Sequence, residues 1–335
     1  MDLVADVYES LIDEAGQVLI GNEVVVERIF ISLATGGHVL LEGPPGVAKT
    51  TIARLVSNLT DLDYNRIQMM PDLLPSDVTG TNIYREGIEA FEFEQGPIFA
   101  NIVLADEINR TTPKTQSALL EAMEEEHVTV SSTTEPLPQP FLLIATQNPI
   151  ETEGTYRLPI AQRDRFQLKL EVGLPDRTDE QQLLKQVKTA PDLEPEDVDP
   201  VVSPAAITQV RQAVSEVYLD ERIEEYILDL VGATREHPSI EHGASPRATL
   251  AFTNGSKAKA AIERRDYVIP ADVKALAKSV LGHRIVLDAD AEFGGQSDRD
   301  LVEEIVTEVE TPGSRIDGDE SEATTMSDGA DSTTE

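Results

Sequence analysis

The stretch Leu40-Leu41-Glu42-Gly43-Pro44-Pro45-Gly46-Val47-Ala48-Lys49-Thr50-Thr51 runs from an apolar segment into a Gly-rich turn. Lys-Thr-Thr follows, then the helix-like Ile52-Ala53-Arg54-Leu55-Val56. This is the layout of a loop that closes backbone N–H groups around phosphate oxygens, with the next helix adding the partial positive charge of its N-terminus. Lys49 is placed to reach β/γ-phosphates and Thr50 to set a hydroxyl on Mg²⁺. Ala48 stands where the general pattern has a second glycine, and a working phosphate cradle would need that residue at negative φ, which alanine tolerates. A second apolar run, Ile102-Val103-Leu104-Ala105, ends in Asp106-Glu107. Paired carboxylates at the end of a buried strand suit a hydrated Mg²⁺ at Asp106 and a water aligned against the γ-phosphate by Glu107. Capping of the next helix is their plainer use. A third run, Phe141 to Thr146, ends in Gln147-Asn148-Pro149, where Asn148 is placed to hold the attacking water. In Arg163-Asp164-Arg165, either arginine suits transition-state charge on a transferring phosphoryl group, against the plainer reading of a surface ion-pair cluster. Ser245-Pro246-Arg247 reads as a helix start, with Ser245 as N-cap and Pro246 in the first turn. Arg247 then sits where the helix dipole favours anions, a conflict that a nearby phosphate resolves.

Such groups need a rigid frame. Residues 1 to about 36 read as helical. Strand candidates follow at His38 to Leu41, Tyr64 to Met69, Ile102 to Ala105, Phe141 to Thr146 and Phe166 to Val172. Several are short and continuously apolar, with helix-like stretches between them. That pattern predicts an α/β architecture with a parallel sheet buried on both faces. Thr81 to Pro97, with turn-forming Arg85-Glu86-Gly87, and His127 to Leu137 read as hairpin insertions projecting from one edge. After Leu174-Pro175-Asp176 the pattern turns helical. Ile223, Tyr226, Ile227, Leu230 and Val231 repeat at helical spacing, as do Val273, Leu276, Ala277, Val280 and Leu281. The organisation expected is a core over 1–175, a small all-helical unit over 176–290, a helical extension over 291–310 and a disordered acidic tail over 311–335.

Composition narrows the classes. The 335 residues carry 62 acids against 27 bases, a net charge of −35. The 25 residues from Thr311 hold seven acids and one arginine, so −29 lies in the remaining chain. Nine lysines against 18 arginines add to the picture of a solvated acidic surface suited to a high-salt cytoplasm. A surface aimed at a basic partner is the competing reading, and dispersal of the acids argues against it. There is no cysteine, hence no disulfide or thiolate metal site. The N-terminus lacks a signal-peptide pattern and no apolar run reaches membrane-span length, so a cytoplasmic protein without membrane insertion is expected.

With these residues in view, the chain resembles the MoxR family of AAA+ ATPases, in a form expected of a halophilic archaeon. GGHVLLEGPPGVAKT (36–50), RIQMMPDLLPSDVTG (66–80), FEFEQGPIFANIVLADEINRTTPKTQSALLEAMEE (91–125), IATQNPIETEGTYRLPIAQRDRF (144–166) and GASPRA (243–248) carry the resemblance. Ala48 is usual in that family. The resemblance implies a P-loop core with a five-stranded sheet in the order 5-1-4-3-2, a helical lid, and hairpins within helix 2 and before sensor 1. ATP would bind between subunits of a ring, expected to be a hexamer. Gly43, Pro44, Pro45, Gly46, Val47, Ala48, Lys49, Thr50 and Thr51 would hold the nucleotide, with Gly21 of Ile20-Gly21-Asn22 near the adenine. Thr50 and Asp106 would serve Mg²⁺, Glu107 would be the catalytic acid of Walker B and Asn148 sensor 1. Arg165 would be the arginine finger and Arg247 sensor 2; Arg163 is a departure, since relatives usually carry an apolar residue there, and it leaves two arginines as candidates for reaching across the interface. Partners implied are client complexes and von Willebrand factor A domain proteins, on which the hairpins would act. A nucleic-acid motor of the MCM-like kind would need basic hairpins, whereas Glu86, Glu89, Glu92 and Glu94 line the first one. The same motifs would also suit a magnesium-chelatase-like subunit or a non-hydrolysing nucleotide switch.

Overall fold

The computed structural model describes residues 1–87, 89–130, 133–149, 154–190 and 193–313; the acidic tail expected from Thr311 lies almost wholly outside the described residues. Two helices, α1 (Asp2–Ala15) and α2 (Glu23–Thr35), split the helical N-terminus at the turn Gly16 to Asn22. β1 (Val39–Glu42) feeds α3 (Lys49–Leu59), and β2 (Tyr64–Gln68) is followed by the one-turn helix α4 (Pro75–Thr79). The first hairpin is β3 (Gly80–Arg85) with β4 (Ala90–Gln95). β5 (Ile102–Asp106), a 3₁₀ turn at Ile108–Arg110 and α5 (Pro113–Glu125) come next. The second hairpin pairs β6 (His127–Val130) with β7 (Thr133–Pro136), and β8 (Leu142–Gln147), α6 (Ile160–Arg163) and β9 (Leu168–Glu171) complete the sheet region.

β1, β2, β5, β8 and β9 pair in parallel in the spatial order β2-β5-β8-β1-β9. Counting only these five, that is 5-1-4-3-2 read from the other edge, the order the resemblance implies. Because side chains alternate across a strand, each strand feeds two cores. Val39, Leu41, Ile102, Leu104, Leu142, Ile144, Leu168 and Leu170 face one side. Leu40, Val103, Ala105, Leu143 and Ala145 face the other, against Leu119, Leu120 and Met123 of α5. Continuous apolar runs are therefore what a sheet covered on both faces requires. The first hairpin leaves α4 after a single turn, and its β3 meets β6 of the second.

Beyond β9 the chain is mainly helical: α7 (Arg177–Thr189), α8 (Pro204–Ser215), α9 (Glu221–Glu236), α10 (Pro246–Ile262), α11 (Pro270–Leu281), α12 (Ala289–Phe293) and α13 (Asp298–Glu308). One short antiparallel ribbon, β10 (Ile240–His242) with β11 (Val286–Leu287), joins them. It is too brief to leave a periodic signal in the sequence. Leu301, Val302 and Ile305 bury α13 against α9 and α11. These helices do not form a separate core: Tyr226, Leu230, Phe252, Leu276 and Leu301 belong to the same cluster as Val4, Leu11, Ile29 and one face of the sheet.

Candidate functional site

β1 delivers the chain to the loop at Gly43, where any side chain is excluded: an added Cβ would stand 2.3 Å from the Val172 carbonyl oxygen. Gly46 has φ +81°. Ala48 has φ +65°, the left-handed region, and this corrects the expectation of a negative value. The backbone must turn its N–H groups inward at this point to open α3, and that requirement overrides the preference of alanine. The strain is about 1–2 kcal/mol. The Lys49 ammonium donates to the carbonyls of Gly43 (2.5 Å) and Pro44 (3.0 Å) at the start of the loop.

Pro45, Gly46, Val47, Ala48, Lys49, Thr50 and Thr51 line a cleft of about 440 Å³ whose other wall is Asp106, Glu107, Thr146 and Asn148. Three segments far apart in sequence meet there because β1, β5 and β8 are neighbours with their C-terminal ends on one side, the usual ligand edge of an open α/β sheet. Asp106 is 8% exposed. Its Oδ1 accepts from the Thr146 hydroxyl at 2.6 Å, and its Oδ2 accepts from Arg66 Nε (3.1 Å) and Nη2 (2.6 Å). The same Thr146 oxygen accepts the Glu107 backbone N–H at 2.8 Å, so one hydroxyl fixes both carboxylate residues. Glu107 is itself left-handed, at φ +59°. Its Oε2 accepts from Gln68 Nε2 (3.0 Å) and pairs with Arg110 Nε (3.1 Å). Thr146, Arg66, Gln68 and Arg110 escape a sequence reading. A threonine at the polar end of an apolar strand and Arg-x-Gln alternating on the edge strand were the available signals.

The arginines lie elsewhere. Among the described residues none after Asn148 lines the cleft. Arg163 is half-buried with its Nε lacking a hydrogen-bond partner. Burial lowers its pKa, while nearby Glu42 and Asp298 act to raise it. Lys169, between Glu42 (3.3 Å) and Asp298 (3.1 Å), loses from burial too, yet those two carboxylates prevail and raise its pKa. Arg165 Nε lies 3.2 Å from Glu124 Oε2, and Arg247 Nη2 contacts Glu124 Oε1. Ser245 caps α10 as expected, accepting from Arg247 N at 3.1 Å, and its hydroxyl donates to Asp164 Oδ2 at 2.7 Å. Asp164 Oδ1 accepts from Arg284 Nε at 2.9 Å. Arg284 is 3% exposed and donates further to the carbonyls of Phe166, Gln167 and Val280. Its burial pulls the pKa down to about 10, which leaves it charged at neutral pH. Gly21 (φ +70°) turns the α1–α2 connection against Asp179 of α7, outside the cleft lining.

The AAA family described as "ATPase family associated with various cellular activities" matches residues 38–168, and the AAA lid domain matches 232–305. The chain is 45% identical to the Bacillus subtilis protein YeaC over 302 residues, 90% of this chain and 93% of that one. It is 41% identical to the Mycobacterium tuberculosis chaperone MoxR1 over 300 residues, 86% of this chain and 78% of the relative. Protein MoxR of Paracoccus denitrificans is 29% identical over 302 residues, 81% and 86% of the two chains. A crystal structure of an ATPase candidate from Cytophaga hutchinsonii superposes with TM-score 0.85 at 42% identity, covering 92% of this chain and 96% of the other.

Proposed function

The chain belongs to the MoxR family of AAA+ ATPases, and from that membership we propose that it hydrolyses Mg²⁺-bound ATP to ADP and phosphate and uses the cycle to remodel or assemble partner protein complexes. The observation that carries the reading is the single cleft in which the strained Gly-rich loop faces Asp106, Glu107 and Asn148. Loop amides from Gly43 to Thr51 would hold the phosphates, with Lys49 moving from the Gly43 and Pro44 carbonyls to the β/γ-oxygens. The donor set fits a hydrated Mg²⁺: Thr50 supplies a hydroxyl at the start of α3, and Asp106 a carboxylate whose remaining lone pairs can bind the ion's water. The ion would neutralise charge developing on the phosphate oxygens. Glu107, kept in line by Thr146, would align and deprotonate the attacking water, and Asn148 would fix that water by hydrogen bonding.

Arg165 would stabilise transition-state charge from a neighbouring copy, so the protein is expected to work as a ring, a hexamer by resemblance. Arg163, engaged near Glu42 and Asp298 of its own chain, is the weaker candidate for that role. The two hairpins, with Tyr84, Phe91 and four glutamates on the first, would meet the client, and von Willebrand factor A domain proteins are the partners proposed. The acidity of that hairpin favours a protein client over nucleic acid. A phosphate-release assay on the wild type and on Glu107→Gln tests the proposal: turnover in the first and retained ATP without turnover in the second are expected. Equal turnover in both removes the catalytic assignment.

A further inference from the structure

We infer that the α8–α9 and α10–α11 connections form a docking groove for a short arginine- or lysine-bearing segment of a partner protein. The groove shares no residue with the phosphate cleft, and the inference does not depend on the ATPase reading. A hollow of about 580 Å³ opens between the two connections, within the range of about 300–1,000 Å³ that suits bound groups. Ile223 and Val268 are buried at its floor, at 5% and 4% exposure, while Tyr218 and Tyr267 line it at 60% and 50%. The whole chain has seven tyrosines and eight phenylalanines, so two half-exposed rings at one apolar hollow are a concentration. Exposed aromatic rings beside an apolar floor are the anchoring composition of protein interfaces.

The groove is built in advance. Tyr218 N–H donates to the Asp266 carbonyl at 2.8 Å, and the Tyr218 carbonyl accepts Val268 N–H at 3.1 Å, a single parallel bridge between the connections. Arg265 donates to both oxygens of buried Asp272 (2.8 and 2.6 Å) and to the Tyr267 carbonyl at 3.0 Å. The same carboxylate accepts Ile269 N–H at 2.9 Å. Lys274 donates to the Thr311 hydroxyl at 2.7 Å, which fixes the segment that leads to Pro312 and Gly313 at the groove's edge. Little ordering is left for binding to impose.

Charge selects the occupant. A second hollow of about 120 Å³ shares Arg222, Pro312 and Gly313 with the first and is lined by α9. Together the two present Asp220, Asp266, Glu225, Asp229 and Glu310 against one cation, Arg222. Arg222 is already held by Asp220, at 2.8 and 3.2 Å. The exposed Asp266 carboxylate has no hydrogen-bond or ion-pair partner among the described residues. Glu225 and Asp229, both exposed, are four residues apart and so share one face of α9. A guanidinium or ammonium is therefore drawn to the tyrosine faces and to Asp266, with its methylene stem on Ile223 and Val268. The acids along α9 take a further base of the same segment, which favours a linear peptide over a lone small cation. Acids elsewhere on the surface are simply solvated; here they edge an apolar hollow. A nucleic-acid backbone is repelled by the same carboxylates.

The test is a calorimetric titration of a capped peptide, Gly-Arg-Ile-Arg-Ile-Gly, into the full chain without nucleotide. Saturable binding is expected, and glutamates in place of the arginines should weaken it about tenfold or more. Tyr218→Ala combined with Tyr267→Ala should cost about tenfold in affinity, and Asp266→Asn several-fold, with ATP turnover unchanged. Both tyrosines keep their backbone bridge in these variants; should the double variant not fold, Asp266→Lys takes its place with the same loss expected. Raising KCl from about 0.1 M to about 1 M should weaken binding several-fold without abolishing it, because the apolar floor is not screened. Absence of binding, equal binding of the glutamate peptide, or unaltered affinity in the variants overturns the inference. If only a chain ending at Gly313 binds the peptide, residues 314–335, with Arg315, compete for the groove and the partner assignment falls. It falls equally if the double tyrosine variant loses a self-association that the wild type shows in sedimentation without nucleotide, since the occupant is then a second copy.

Discussion

Ala48 holds a conformation that glycine would adopt without strain, at the point where the loop must present its amides. Ala48→Gly should therefore relieve native-state strain of about 1–2 kcal/mol, offset in part by the greater freedom of glycine in the unfolded chain. A net gain of up to about 1 kcal/mol in a urea titration is the expected result; a loss of stability would mean that the strain is not real. Glu107 is strained in the same way, at φ +59°, and its carboxylate is steered by Gln68 and Arg110. Glu107→Gln should lower ATP turnover by about 10²–10⁴-fold, the range for a lost general base, with nucleotide still bound in an equilibrium binding measurement. Lys49→Ala should abolish nucleotide binding in that assay, because no other cation lines the cleft among the described residues.

α5 covers one face of the sheet through Leu119, Leu120 and Met123, and a buried histidine anchors its end. His38 at the start of β1 accepts the Leu143 N–H at Nδ1 (3.0 Å) and donates from Nε2 to the Met123 carbonyl (3.1 Å), one residue before Glu124. That bonding assigns the neutral tautomer, since a protonated Nδ1 would face a backbone donor. Burial pushes its pKa down to about 4. The unfolded chain would then bind a proton near pH 6.5 that the folded one refuses. Stability from this group is therefore complete above about pH 6.5 and is lost as pH falls from there to about 4, by about 3 kcal/mol in all. His283, fully buried against Phe166, is shifted downward for the same cause and adds to the slope. His38→Gln can keep both hydrogen bonds. Its unfolding free energy, followed from pH 7 to pH 4.5, should fall less steeply than the wild type's by about one proton's worth, about 1.4 kcal/mol per pH unit. Parallel curves would refute the assignment.

At the scale of the molecule, two features govern stability. One hydrophobic cluster runs from α1 through a sheet face to α13, so the helical region and the sheet share burial. Chains cut after Val172 would expose Val4, Ile29 and their neighbours, and should lose cooperative unfolding by circular dichroism. The second is the charge of −35, which repels itself in the compact state and is screened by salt. The unfolding temperature should rise steadily with KCl from about 0.1 M toward about 1 M and beyond, as the screening length shortens. A flat response would show that acids and bases already balance locally.

Local chemistry determined much on its own. An apolar run before Gly-x-x-Gly-x-x-Lys-Thr, acids closing a second run and Asn-Pro closing a third were legible because loop and strand-end signals depend on a few consecutive residues. The parallel strands and both hairpins were legible for the same reason. What only the tertiary structure decided is which distant side chains meet. Thr146 bridging Asp106 and Glu107, Arg66 on Asp106, and Glu124 gathering Arg165 and Arg247 (the last 123 positions away) follow from how strands order and helices dock. Ala48 at positive φ belongs there too, since the surrounding fold supplies the energy that holds a residue against its own preference.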